Sequence, residues 1–280
     1  MIKEITKIEN SIDKSNPHGS NLITKIKLYK NIKSQNYLEK FSKKYVELFK
    51  LANKQKKITK EFLKIYAEKT DEYLLFLRNN IFFSHQSDLI SSVIPEFFCQ
   101  LYKIKLLENK KNYNVSGQEN LKIDFQLQHN KDKQILFKEK RVDVAVFENV
   151  NLDLNSSSSK IIIPIIALEI KVNLDKNMMY GIINTSESIK KLFPNSLYCC
   201  ITEFADLDLK TQNFKYSDID EIYILRKQKR SEYRRNKRLS KINIELIEHN
   251  LLMFEKKISN DNLNDLSLED KMNKFGKLII

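Results

Sequence analysis

The stretch IIIPIIALEIKVNLDKN, residues 161–177, decides how the rest of the chain is read. It begins as a buried strand should, and then places Glu169 and Lys171 where the apolar run had room to continue. Alternate side chains of a strand share a face, so Glu169 and Lys171 point together, away from Leu168 and Ile170. Burying a lone carboxylate or ammonium is costly. An ion pair on a solvated sheet face is one account of the couple. The isoleucine run argues for another, a central strand covered on both faces whose polar end opens at a cleft.

A second segment supplies a partner. RVDVAVF, residues 141–147, sets Val142, Val144 and Val146 on one side and Asp143 on the other. Two carboxylates on neighbouring strands can hold one hard divalent cation, with waters completing the octahedron that magnesium prefers. A lysine beside them can orient an attacking water or offset charge growing on a phosphoryl group.

Working outward, YLEKFSKKYVELFKLANK (37–54) and EFLKIYAEKTDEYLLFLRNN (61–80) carry helical apolar spacing. Residues 1–20, ending in SNPHGS, read as a mobile lead-in or turn. A further helix is expected after Ser87, kinked or restarted at Pro95. Strands are expected at 121–128, 140–148, 160–172 and 196–202, with NLDLNSSSS as a loop between the second and third. The helical spacing of Met178, Ile182, Ile189 and Phe193 implies a crossover helix and hence a parallel strand pair. This predicts an α/β (α+β) fold: a helical region over 1–84, a core over 85–225, and a basic segment and extension over 226–280. The tail after Ser259 reads as an edge element or frayed end.

Composition bounds the function. The chain has 280 residues, 41% hydrophobic and 30% charged, as globular proteins do. No apolar run is long enough to cross a bilayer and the N-terminus is too charged for a signal peptide, so the cytoplasm is the expected location and no membrane partner is expected. Cys99, Cys199 and Cys200 lack the spacing of a zinc site or a disulfide framework and read as reduced core residues. Four glycines without a phosphate-cradling motif disfavour nucleotide binding. The net charge of +13 points to a polyanion, although a lysine bias from an AT-rich genome produces the same excess. Nine basic residues and one acid lie between Arg226 and Lys241. As one helix, that segment aligns Arg226, Arg230, Arg234 and Arg238, with Arg235 adjoining, as a stripe for phosphates. A solvated basic loop is the alternative.

The pairing of an apolar strand broken by Asp143 with another broken by Glu169-x-Lys171 resembles the PD-(D/E)xK phosphodiesterase superfamily, with Val142 standing where that pattern has proline. SDLISSVIPEFFCQL, RVDVAVF, ALEIKVNLDKNMMYGI and LFPNSLYCCITEFADL together resemble type II restriction endonucleases of the Bpu family, the asymmetric CCTNAGC-site type. The resemblance implies a restriction-endonuclease-like core, a central mixed sheet flanked by helices, and site-specific hydrolysis of double-stranded DNA with Mg²⁺. It implies Asp143, Glu169 and the Ile170 carbonyl as metal ligands, Lys171 as a catalytic residue, and Glu96 as a further acid from the helix before the sheet. A first-turn acid favoured by the helix dipole is the other account of Glu96. A second nuclease subunit or a homodimer, and a companion DNA methyltransferase acting on the same site, are the partners implied. A non-catalytic nucleic-acid-binding protein and a repair or mobile-element nuclease on the same core are the rival readings.

Overall fold

In the computed structural model, which describes residues 12–13, 15–80, 88–127, 135–154, 157–207 and 217–259, helices come first. They are α1 (Pro17–Leu28), α2 (Ile32–Asn53), α3 (Lys60–Asn79), the single turn α4 (Asp88–Ser91) and α5 (Val93–Glu108). Strands β1 (Asn114–Leu127), β2 (Ile135–Leu154) and β3 (Ser157–Leu174) follow, then α6 (Lys176–Leu192), β4 (Leu197–Ala205), β5 (Glu221–Ile224), α7 (Arg230–Asn236) and α8 (Ile244–Ser259). The sheet runs β1-β2-β3-β4-β5. Its first two pairings are antiparallel and its last two parallel. The expected α/β class with a mixed sheet flanked by helices is found. No helix among the described residues is long and apolar enough to cross a membrane.

Local chemistry explains most boundaries. Pro17 opens α1 at a position whose N–H needs no helical partner, so SNPHGS is a helix start rather than the expected turn. Thr59 and Asp175 cap α3 and α6 through their side chains. Pro95 lies in the first turn of α5, just after the break that separates it from α4, as the sequence predicted. Ser87, the N-cap expected for that helix, lies outside the described residues, as does the tail after Ser259.

The β2–β3 hairpin is longer than expected. Strand residues extend to Leu154 and resume at Ser157, so most of the segment read as a loop continues the ladder. Pro164 lacks the N–H a ladder requires, and the register shifts beside it, between Val146 and Phe147. The first isoleucines are not core either: Ile163 is 37% exposed, and burial becomes continuous only from Ile166 to Ile170.

Two apolar clusters sandwich that buried section. Leu168, Ile170, Cys199 and Ile201 pack with residues of α1, α2, α3, α5 and α8 on one side. Ala167, Tyr198 and Cys200 pack with Met179, Ile182 and Ile189 of α6 on the other. The three cysteines are free and buried, as expected. The N-terminal helices thus share one core with the sheet. Val142 departs from the expected alternation by joining the α6 cluster, whereas Val144 and Val146 lie in the other.

Gly19 is where α1 meets α2 and the turn before it. A Cβ there falls 2.4 Å from the Asp13 carbonyl oxygen and 2.8 Å from the Tyr45 hydroxyl. Gly19→Ala is therefore expected to lower unfolding stability by about 1–3 kcal/mol, the usual cost of forcing extra atoms into a packed site, measured by urea denaturation.

Candidate active site

The β2–β3 ladder pairs Val144 with Leu168 and goes no further. One step beyond, the register brings Asp143 opposite Glu169. There the Asp143 side chain takes the place of a strand: its Oδ2 accepts the Ile170 N–H at 2.7 Å. The strands part, and the gap holds three charged groups. Lys171 Nζ donates to Glu169 Oε1 at 2.6 Å and lies 3.9 Å from Asp143 Oδ2. The structure thus brings together Asp143, Glu169 and Lys171. Ile170 buries its side chain in the core beside them.

The electrostatics are those of a crowded, half-buried site. Burial raises the Asp143 pKa above the ordinary carboxylate range, and the neighbouring Glu169 charge adds to it. Burial alone pushes the Lys171 pKa down, but the two carboxylates outweigh it and the ammonium is held more firmly protonated than usual. Glu169 Oε2 is buried and has no hydrogen-bond partner among the described residues. A buried carboxylate oxygen without a donor is costly unless a cation satisfies it, so the donor set fits a hard metal ion. Among the described residues, no group of three or more His, Cys, Asp or Glu could hold a metal.

Glu96 does not join them. It sits in the first turn of α5, buried, and both its oxygens are engaged. Oε2 accepts the backbone N–H groups of His18 at 2.9 Å and Gly19 at 3.0 Å, and Oε1 accepts the Tyr45 hydroxyl at 2.6 Å. Burial raises its pKa to about 7 despite these donors. His18 extends the network to Ser92 and Tyr73 and, with burial opposing its charge, has its pKa lowered to about 3. Through these bonds Glu96 fastens α1 and α2 to α5.

The basic segment divides. Arg226 precedes the helix and is 1% exposed. Its Nε donates to Glu203 at 3.1 Å, its Nη2 to Asp71 at 2.6 Å, and its Nη1 to the Ser240 carbonyl. It is a structural ion-pair residue, which corrects the continuous stripe. That stripe fails because α7 is only seven residues long and is stopped by Lys237, whose φ of 54° lies in the left-handed region. Arg234, Arg235 and Arg238 are exposed and Arg230 is half-buried. The sequence reading missed Arg78, whose Nη2 donates to Glu203 at 2.5 Å and whose guanidinium lies 5.5 Å from the rings of both Phe204 and Tyr233. Its place at the end of the helical pattern LLFLRNN, where an apolar face continues, was the only signal.

With this geometry established, three comparisons bear on kinship. The family described as Bpu10I restriction endonuclease matches residues 74–241. A solved structure described as the native BbvCI A2B2 tetramer at low resolution matches with a TM-score of 0.69 and 25% identity, covering 88% of this chain and 96% of that chain. No curated protein sequence matches.

Two outcomes test the buried groups. Arg226→Ala takes the arginine from Asp71 and leaves Glu203 with Arg78 alone, and should cost about 3–5 kcal/mol by chemical denaturation. The Glu96 pKa is raised on folding, so its contribution is fully present below pH 4.5 and is lost as pH rises through about 7. Glu96→Gln should therefore flatten the stability–pH profile over that window. Glu96→Ala, which orphans two buried N–H groups, should destabilise throughout.

Proposed function

The chain belongs to the Bpu10I restriction endonuclease family, and from that premise we propose that it is a type II, Mg²⁺-dependent endonuclease that hydrolyses phosphodiester bonds at a specific site in double-stranded DNA. One observation carries the reading. Asp143 and Glu169 face each other where the β2–β3 ladder ends, with Lys171 Nζ bonded to one and 3.9 Å from the other. The arrangement agrees with the PD-(D/E)xK pattern expected from Asp143, Glu169 and Lys171.

Asp143 and Glu169 would hold the metal, with the Ile170 carbonyl as a third protein ligand. The unpartnered Oε2 of Glu169 supports this assignment. A Mg²⁺ ion held there would supply Lewis-acid chemistry at the scissile phosphate and the attacking water. Lys171, kept protonated by its two carboxylate neighbours, acts as a donor rather than a base: it holds the attacking water and stabilises the negative charge that grows on the phosphoryl oxygens. The Ile170 N–H fixes the orientation of Asp143. Arg230, Arg234, Arg235 and Arg238, with the N-terminal helices, neutralise duplex phosphates and make affinity fall steeply with salt.

The BbvCI structure is described as an A2B2 tetramer, which supports a second nuclease subunit as partner to this chain. A companion methyltransferase protecting the same site and a cytoplasmic location complete the reading.

The test is cleavage of plasmid DNA with Mg²⁺, alone and with EDTA. The wild type, supplied with its second subunit where one is required, should give discrete fragments that EDTA abolishes. Lys171→Ala should cut at least about 100-fold more slowly, the scale of losing one transition-state donor, and Asp143→Ala should not cut at all, while both still bind duplex. Full cleavage by either variant defeats the assignment, and an intact plasmid under every condition favours a non-catalytic binder.

A further inference from the structure

Arg78, Arg230, Arg234 and Lys237 line a small pocket with Val172, Phe204 and Tyr233. Val172 follows Lys171 in β3, so the pocket lies at the same end of that strand as the carboxylate–lysine site, with the Val172 side chain on the other face. We propose that this pocket takes one backbone phosphate of duplex DNA next to the cleavage site. The proposal deepens the nuclease reading and rests on it.

Four cations converge there. Glu203, the carboxylate that bonds Arg78, is also bonded by Arg226, so its charge is already shared between two arginines. Arg78 is 6% exposed, and its Nη1 is buried without a hydrogen-bond partner among the described residues. A charged donor held dry and unsatisfied calls for an anion. Arg230 agrees: burial lowers its pKa, and the like charges of Arg234 and Arg78 add to the effect.

Size and shape choose the anion. The pocket volume is about 30 Å³, against about 10–15 Å³ for a single water. That admits phosphate oxygens and excludes a nucleobase. The aromatic walls are already in use as well. Phe204 and Tyr233 stack on each other with centroids 6.1 Å apart, and the Arg78 guanidinium lies over both rings. They hold the arginine in place instead of offering a base a stacking face. The guanidinium forks suit a tetrahedral phosphate.

The experiment measures binding of a fluorescent duplex by the full-length chain in EDTA, across a salt series. Arg230→Gln/Arg234→Gln should reduce the steepness of log affinity against log salt by about 1, the signature of one lost phosphate contact. The double variant Lys191→Gln/Lys256→Gln removes the same charge from exposed positions elsewhere and should leave the slope unchanged. Equal losses in both pairs, an unchanged slope in the first, or no duplex binding by the wild type overturns the proposal. Should the arginine pair fail to fold by circular dichroism, Lys237→Gln at the exposed end of α7 carries the same expectation. Inorganic phosphate that raises the wild-type Tm but not that of the arginine variant, with an unaltered DNA slope, identifies a free-anion site and also overturns it. Parallel plasmid cleavage separates the two readings. A pocket-dependent slope without cutting preserves the pocket and sinks the nuclease, and cutting with an unaltered slope does the reverse.

Discussion

A buried backbone amide must find a partner, and at Ile170 that partner is the Asp143 carboxylate, 2.7 Å away, instead of a neighbouring strand. The rest of the site depends on this substitution of side chain for backbone. Were the β2–β3 ladder to continue past Val144 and Leu168, Glu169 and Lys171 would sit against a paired strand. Because it stops, they line a gap between strands that remain anchored on their outer sides, β2 to β1 and β3 to β4. Asp143 consequently has two duties, closing the end of the ladder and presenting a carboxylate to the gap. Removing the side chain strips both, whereas Asn at this position keeps an oxygen to accept the amide and loses only the charge. Comparing the two replacements separates the structural duty from the electrostatic one.

The arginines show how one basic run serves two purposes. Arg226 is drawn inward because Glu203 on β4 and Asp71 on α3 would otherwise be buried carboxylates with too few cations. Asp71 also accepts the Ile242 N–H at 3.0 Å, so the same cluster anchors the chain after α7. Arg78 belongs to both systems, with one nitrogen on Glu203, the other unpartnered among the described residues, and the residue itself lining the pocket. The helix that carries Arg78 is thereby fixed to the sheet by buried charge as well as by apolar contact. On the proposed reading, the position of the DNA backbone is set by the same ion pairs that hold the N-terminal helices in place.

Much of this was legible in the sequence. Asp143, Glu169 and Lys171 could be read because an apolar strand makes any charged residue within it conspicuous, and the crossover helix because Met178, Ile182 and Ile189 keep a helical period before Pro194. What failed did so for physical reasons. The apolar period of α8, carried by Ile247, Leu251, Phe254 and Ile258, was present but went unread beside the stronger charge signal. Strand β5, only four residues long, gives too short an alternation to register. Arg226 and Arg234 look alike in sequence, and only the tertiary placement of Glu203 and Asp71 separates a buried ion pair from an exposed charge. Glu96 was read from its place on the helix before the sheet, and nothing local showed that the amides of His18 and Gly19 would reach it from far along the chain.

The engagement of Glu96 bears on how a metal site here would be completed. Moving its carboxylate to a cation at Asp143 and Glu169 would take it from two backbone amides and the Tyr45 hydroxyl, leaving buried donors unsatisfied. Among the described residues, two carboxylates and a backbone carbonyl are then what the proposed site offers. Magnesium binds in this way when water and substrate phosphate supply the remaining oxygens. On the proposed reading, Asp143 and Glu169 would hold the metal with few protein ligands, and its binding would be strengthened by DNA. A pocket that grips a backbone phosphate at the same end of β3 limits where the scissile group can lie. It thus couples the fit of the duplex to the completion of the catalytic site.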